Sequence, residues 1–352
     1  MKRIYIYFIF LVTSNLHLDS QEVQRYVYVA QDQGWIYVYD IKNQHQLVKK
    51  IEVPGTGEYK GISADAKRGK IYLSSYTNDQ LVCVDLYTEK IDWSIPIIGY
   101  PDSHAQTPDG KFIYIHKIHG KSWDVIDTEK KKIIANVPIP YGNPHNTWCS
   151  KNGKTMYLAA LGNEYLYVAD VTKHKMVKQI GPFMPNPEEP WGWTQKKKGP
   201  KGIRPFALSH DEKECYVNLD GILGYEIGDL NSGIRKGRIE VQGYESLRGS
   251  HLTTSHGINL PSGKNEIWVS NDAGPYIHIF DANQQPHKQV ADIKLTGKNG
   301  WITFDIDGSY GYASSGDVID VSTRKIIAHL IASEKLLEIQ FENGKAIKAG
   351  TR

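Results

Sequence analysis

The sequence predicts an all-β fold, a seven-bladed β-propeller closed into a ring, and three observations carry that prediction. A strand-rich unit recurs with a period near 43 residues, the length of a four-stranded propeller blade. Turn signals of two kinds separate its strands at regular places. The two ends of the chain are incomplete units that complete one another.

The unit runs strand, Pro-Asp-Gly-type turn, aromatic-rich strand, loop, strand ending in Asp, turn, strand. Its first turn appears in Thr107-Pro-Asp-Gly-Lys-Phe-Ile-Tyr-Ile, Ser150-Lys-Asn-Gly-Lys-Thr-Met-Tyr-Leu and Leu260-Pro-Ser-Gly-Lys-Asn-Glu-Ile-Trp-Val. Its second turn follows Asp85, Asp127, Asp170 and Asp320. Asp, Asn and Gly at such places let the backbone reverse between β-branched and aromatic runs. First strands start near Gly61, His104, Asn146, Pro205, Gly257, Trp301 and Leu336, one for each blade. Helical periodicity is missing, which excludes helical solenoids. Three strands near Tyr26–Val29, Ile36–Asp40 and Leu47–Val53 precede the first full unit, and a lone strand, Leu336–Phe341, ends the repeats. Pairing that strand with the first three completes a blade and removes an open edge.

Composition agrees. The 352 residues include 22 Tyr and 32 Gly, a mix that favours strands punctuated by turns. Net charge is +3, from 42 basic and 39 acidic residues, which gives no electrostatic reason to expect a nucleic-acid partner. The basic run at Lys196–Lys198 reads as a solvated loop or a docking patch for an acidic partner.

Lys2 and Arg3 before an apolar run, Ile4 to Val12, read as a secretion signal over residues 1–20, with one propeller domain over 21–352. The run is too short to span a bilayer, so the expected location is extracytoplasmic, a periplasm or equivalent lumen, with no membrane span after signal removal. Cys83, Cys149 and Cys215 fall in strand patterns and read as free thiols. No C-x-x-C-H occurs, so no haem is covalently attached.

Ring geometry places the fourth-to-first and second-to-third connections on one face, and the short regular turns on the other. The first face carries the irregular segments, Gly181–Gly202 and Gly243–Ser255. Long loops on a rigid scaffold are functional or flexible. Trp191, Trp193, Phe183 and Tyr244 can fold back as a lid over the channel mouth or contact a partner, and Trp191, Trp193, Tyr244, Arg248 and His251 are the candidate partner contacts. Three first strands begin with histidine, at His104, His145 and His256. Convergence at the channel mouth would make them ligands for Zn, Cu or Fe with an open position. Polar lining of the channel and metal-free acid–base chemistry are the competing readings. His116 and His119 share that face, and Asp102 can orient an imidazole. Arg204 reads as an anion contact or an ion-pair partner, and Trp301 as a channel plug.

The units resemble the YVTN-type repeats of seven-bladed propellers, from Arg25 to about Lys345. That resemblance implies the fold and is nearly silent on chemistry. In size, export signal, blade number, missing haem motif and the Gly243–Ser255 loop, the chain also resembles the β subunit of hydrazine synthase. This second resemblance implies a scaffold subunit of a redox complex, packed against haem-bearing protein subunits, with the 243–257 loop as the contact. The alternatives are a metal-dependent oxidoreductase or hydrolase using the three histidines, and a lactonase-like enzyme or sugar-acid binder whose channel carboxylates are Glu58, Asp102 and Glu334.

Overall fold

The computed structural model describes residues 22–183, 202–247 and 254–351. The chain opens with β1 (Gln24–Gln31), β2 (Trp35–Asp40) and β3 (Gln46–Glu52). Blade one follows as β4 (Tyr59–Asp65), β5 (Lys70–Ser75), β6 (Gln80–Asp85) and β7 (Ile91–Pro96). Blade two is β8 (Pro101–Gln106), β9 (Phe112–Lys117), β10 (Ser122–Asp127) and β11 (Lys132–Pro138). Blade three is β12 (Asn143–Cys149), β13 (Thr155–Leu161), β14 (Leu166–Asp170) and β15 (Lys175–Ile180). Blade four is β16 (Ile203–Leu208), β17 (Glu214–Leu219), β18 (Gly224–Asp229) and β19 (Arg235–Glu240). A single 3-10 turn, Glu245–Leu247, leads towards blade five: β20 (Ser255–Asn259), β21 (Glu266–Asn271), β22 (Tyr276–Asp281) and β23 (Lys288–Lys294). Blade six is β24 (Ile302–Phe304), β25 (Tyr310–Ala313), β26 (Asp317–Asp320) and β27 (Lys325–His329). Then come β28 (Leu336–Glu342) and β29 (Lys345–Ala349).

Every blade is an antiparallel meander. Blade seven has the order β29-β28-β1-β2-β3, so the late strand β28 pairs with β1, with Tyr26 opposite Ile339, and closes the ring as the sequence predicts. The extra strand β29 was not foreseen; it pairs along the free edge of β28.

The core follows from the strand patterns. Inner and middle strands bury runs such as Ile71–Ser75 and Ile113–His116, whereas the outer strand β3 is exposed except at Ile51. Buried apolar residues form seven clusters, each spanning one interface between neighbouring sheets. The closing interfaces bury clusters of the same kind as the rest. Trp123 and Trp268 are fully buried and sit in two of these clusters. Burial at about 25 cal/mol per Å2 makes these interfaces the main stabilising term. All three cysteines are free, and burial pushes the Cys83 thiol up to about 12, which leaves it inert.

Two glycines explain how inner strands approach so closely. A Cβ at Gly61 would lie 2.7 Å from the His104 ring and 2.8 Å from Ser74 Oγ. A Cβ at Gly257 would lie 2.6 Å from the Cα of Trp301 in the next blade. No side chain fits either place without moving backbone or a buried partner.

On the turn face, ring closure has its own clasp. Arg25 of β1 bonds Glu338 of β28 at 2.7 Å, and Asp305 and Asp307 of blade six at 2.9 and 2.7 Å. The side chains of Glu338 and Asp305 are fully buried.

Candidate functional site

In five blades the first strand carries a β-bulge near its start, on the face of the fourth-to-first connections. The first bulged residue is Lys60, Asp102, His145, Arg204 and His256 in turn, so one repeat position supplies four kinds of side chain to the channel mouth. A bulge re-aims the side chain it carries, and bulges are frequent beside functional sites. Trp301 takes the corresponding end of blade six.

His145 and His256 stand on blades three and five, yet their ring centres are only 6.2 Å apart. His256 Nδ1 lies 2.8 Å from the Gly300 carbonyl and donates to it, and Trp301 packs on its ring edge-on at 5.9 Å. Beneath the mouth, β9 contributes His116, fully buried, 6.3 Å from the His145 ring. His116 Nε2 faces Asp102 Oδ2 at 3.2 Å.

His104 has a different place. It pairs with Ile115 in the same register in which Thr147 pairs with Leu158 and Ile258 with Val269. It therefore lies two positions further along its strand than His145 and His256, and Asp102 is their equivalent in blade two. That register turns His104 into the interface with blade one, where both ring nitrogens meet serine hydroxyls, Ser63 at 2.9 Å and Ser74 at 2.6 Å. The structure thus brings together His116, His145 and His256, and keeps His104 apart. Among the described residues no three His, Cys, Asp or Glu groups are arranged to hold a metal ion.

Arg204 is ion-paired with Asp220, the structural alternative in its sequence reading. Burial raises the Asp220 pKa and the guanidinium opposes it. Lys60 pairs with Glu58, and Lys298 meets Asp272 at 3.3 Å. Glu334 reaches Gly300, where an added Cβ would meet its Oε1 at 2.8 Å. Burial pushes His145 down to about 3, with Arg204, His256 and His116 acting in the same direction against Asp102. Burial also lowers His256, against the carboxylates of Glu334 and Asp272. Both imidazoles are therefore neutral at pH 7.

Sequence reading missed Asn218. It is the fifth residue of β17, as His116 is of β9, Ser74 of β5 and Ser270 of β21, and aligning second strands would have found it. Its Nδ2 donates to the His256 carbonyl at 2.5 Å. In this structure its Oδ1 has no hydrogen-bond partner, nor have His116 Nδ1, His145 Nδ1 and Ser270 Oγ.

The predicted partner contacts divide. Trp191, Trp193, Arg248 and His251 lie outside the described residues, as does the predicted signal. Tyr244 is half-buried and packs on Tyr276 at 4.9 Å and His278 at 4.7 Å. Phe183 is no lid: it is fully buried in the cluster between blades three and four. His119 is exposed and packs on Tyr100. Large apolar side chains do stand out on the mouth face, in the connections that precede blades two and three: Ile98 is 70% exposed, Tyr100 43% and Tyr141 74%.

No protein-family model matches the chain. Over 169 residues it is 24% identical to Antigen Lp49 of Leptospira interrogans serogroup Icterohaemorrhagiae serovar copenhageni (strain Fiocruz L1-130), a match covering 46% of this chain and 36% of that protein. The chain thus matches little more than a third of that relative's length. Among solved structures, hydrazine synthase of Kuenenia stuttgartiensis superposes with a TM-score of 0.59 at 18% identity, covering 77% of this chain and 78% of the other. The dihydro-heme d1 dehydrogenase NirN, in complex with DHE, gives 0.61 at 14% identity, over 93% and 73%. At these identities the likeness establishes a propeller fold and nothing finer.

Proposed function

We propose that this chain is a non-catalytic interaction subunit of an extracytoplasmic redox assembly, and that it docks a haem-bearing partner subunit through its mouth face. The observation that carries the reading is the exposure of Ile98, Tyr100 and Tyr141 on that face, beside the ring of charged and imidazole side chains. Exposed aromatics next to a polar rim are what protein interfaces use as anchors. Two fold neighbours with redox names, hydrazine synthase and a heme d1 dehydrogenase, support the class of assembly. The resemblance to the hydrazine synthase β subunit supports the scaffold role within it.

The test is size-exclusion of the protein purified from its native source, followed by Soret absorbance and by polypeptide staining. The proposal expects co-elution with a haem protein. The doubly substituted Tyr100→Ser, Tyr141→Ser chain should bind that isolated partner at least tenfold more weakly while melting as the parent does. Elution as a lone polypeptide, or unchanged partner affinity in the double variant, overturns it.

A further inference from the structure

The mouth holds a cluster of lone pairs that the fold does not use. His116 Nε2 carries its hydrogen towards Asp102, so in the neutral ring Nδ1 is an acceptor. His256 Nδ1 donates to Gly300, which makes its Nε2 an acceptor as well. Asn218 spends one amide hydrogen on the His256 carbonyl, and its Oδ1 is left to accept. His116 and Asn218 are both fully buried, and a buried polar group without a partner is costly. Water fills such places by default. The site asks for more than water in two respects.

The first is spacing. Two imidazoles bonded to one tetrahedral metal ion at about 2.0 Å bring their ring centres to about 5 Å from each other. Two imidazoles accepting from two hydrogens of one ammonium nitrogen at about 2.9 Å stand about 6.5 Å apart. The observed separations, 6.3 Å for His116–His145 and 6.2 Å for His145–His256, fit the donor and are wide for a tetrahedral metal. The second is charge. The charged groups around His145 and His256 are the carboxylates of Asp102, Glu334 and Asp272 against the guanidinium of Arg204, paired with Asp220, the ammonium of Lys60, paired with Glu58, and that of Lys298 on Asp272, so that carboxylates outnumber cations five to three. Trp301 beside His256 adds an aromatic surface, which favours an organic cation.

We infer that the mouth of the channel binds a small primary ammonium ion, whose three hydrogens are shared among four acceptors, the rings of His116, His145 and His256 and the amide oxygen of Asn218. The inference is independent of the docking reading above.

Titration of the full chain with methylammonium, followed by the ring resonances of labelled histidine, tests it. Methylammonium should shift the His116, His145 and His256 rings saturably. Tetramethylammonium, which has the charge and no N–H, should bind at least tenfold more weakly. His145→Ala should weaken methylammonium binding about tenfold, the effect of one lost hydrogen bond near 1.4 kcal/mol. Should that variant misfold, His256→Gln is read in its place. Equal binding of tetramethylammonium overturns the inference, as does one-to-one capture of Zn2+ that displaces methylammonium. Rings that stay unmoved at every concentration mean that ordered water alone fills the mouth, and overturn it too.

Discussion

The two faces of the ring use the same repeat in opposite ways. On the turn face each blade has an Asp at one position: Asp40, Asp85, Asp127, Asp170, Asp229, Asp281 and Asp320. Each accepts the backbone N–H of a residue two or three places on. Seven blades, one solution, and every carboxylate satisfied locally. On the mouth face the equivalent bulge position carries Lys60, Asp102, His145, Arg204 and His256, and the layer beneath leaves acceptors unused. A position that repeats unchanged answers to the backbone, which is alike in every blade. A position that varies from blade to blade answers to something the repeat does not contain.

Four experiments break or sharpen this contrast. The clasp sets the largest effect. Arg25→Met strands the buried carboxylates of Glu338 and Asp305, and should lower unfolding free energy in urea by about 3 kcal/mol or more. A loss under about 1 kcal/mol would mean that apolar packing alone closes the ring. Next comes pH. Unfolded histidine takes a proton near 6.5, whereas folded His145 resists it down to about 3, so its contribution is present above 6.5 and drains away as pH falls through that window. Asp305 acts in the other sense. Burial holds its carboxyl up at about 7, so its contribution is present below about 4 and is lost as pH rises towards 7. Melting temperature against pH should therefore lose part of its acid-side decline in His145→Asn and part of its rise-dependent loss in Asp305→Asn. Identical curves for parent and variants would show that neither group is tuned by burial. Smaller again, Asp127→Ala should cost about 1 kcal/mol through the backbone N–H groups of Glu129 and Lys130 that it leaves unserved. Smallest, Tyr141→Ser should change stability by less than about 0.5 kcal/mol, since the ring stands in solvent. A larger loss would place Tyr141 in the fold rather than on an interface.

The legible part of the molecule was the part that repeats. Pro-Asp-Gly and Asp-Thr turns act locally, so they announced the blades and the pairing of β28 with β1. The mouth was read half correctly, because facing is set by register. His104, His145 and His256 each open a strand in the sequence, but a bulge shifts side-chain direction without changing the turn signals around it. Only the pairing of His104 with Ile115, against Thr147 with Leu158, shows that His104 belongs two places on. Asn218 hid in a second strand, where alternation marks it simply as inward, whereas His116, a candidate on the mouth face in the sequence, stands in β9 beneath it. Phe183 hid for another reason: a Pro- and Gly-flanked aromatic looks like loop until a neighbouring blade is present to bury it. Strand β29 follows an Asn343-Gly344 turn, a hairpin signal that the ring, already complete without it, gave no reason to use.

Ring closure has a consequence in time. Arg25 meets Glu338, 313 residues away, so the partner of β1 is synthesised 313 residues after it. Until it arrives, β1 presents an unpaired backbone edge, the template on which strangers pair and chains aggregate. Contacts of such sequence separation also form slowly, because so long a loop must close first. The nascent chain therefore passes through an interval in which six blades can be complete while the seventh still waits, and a chaperone acting on this protein would find its work at that seam.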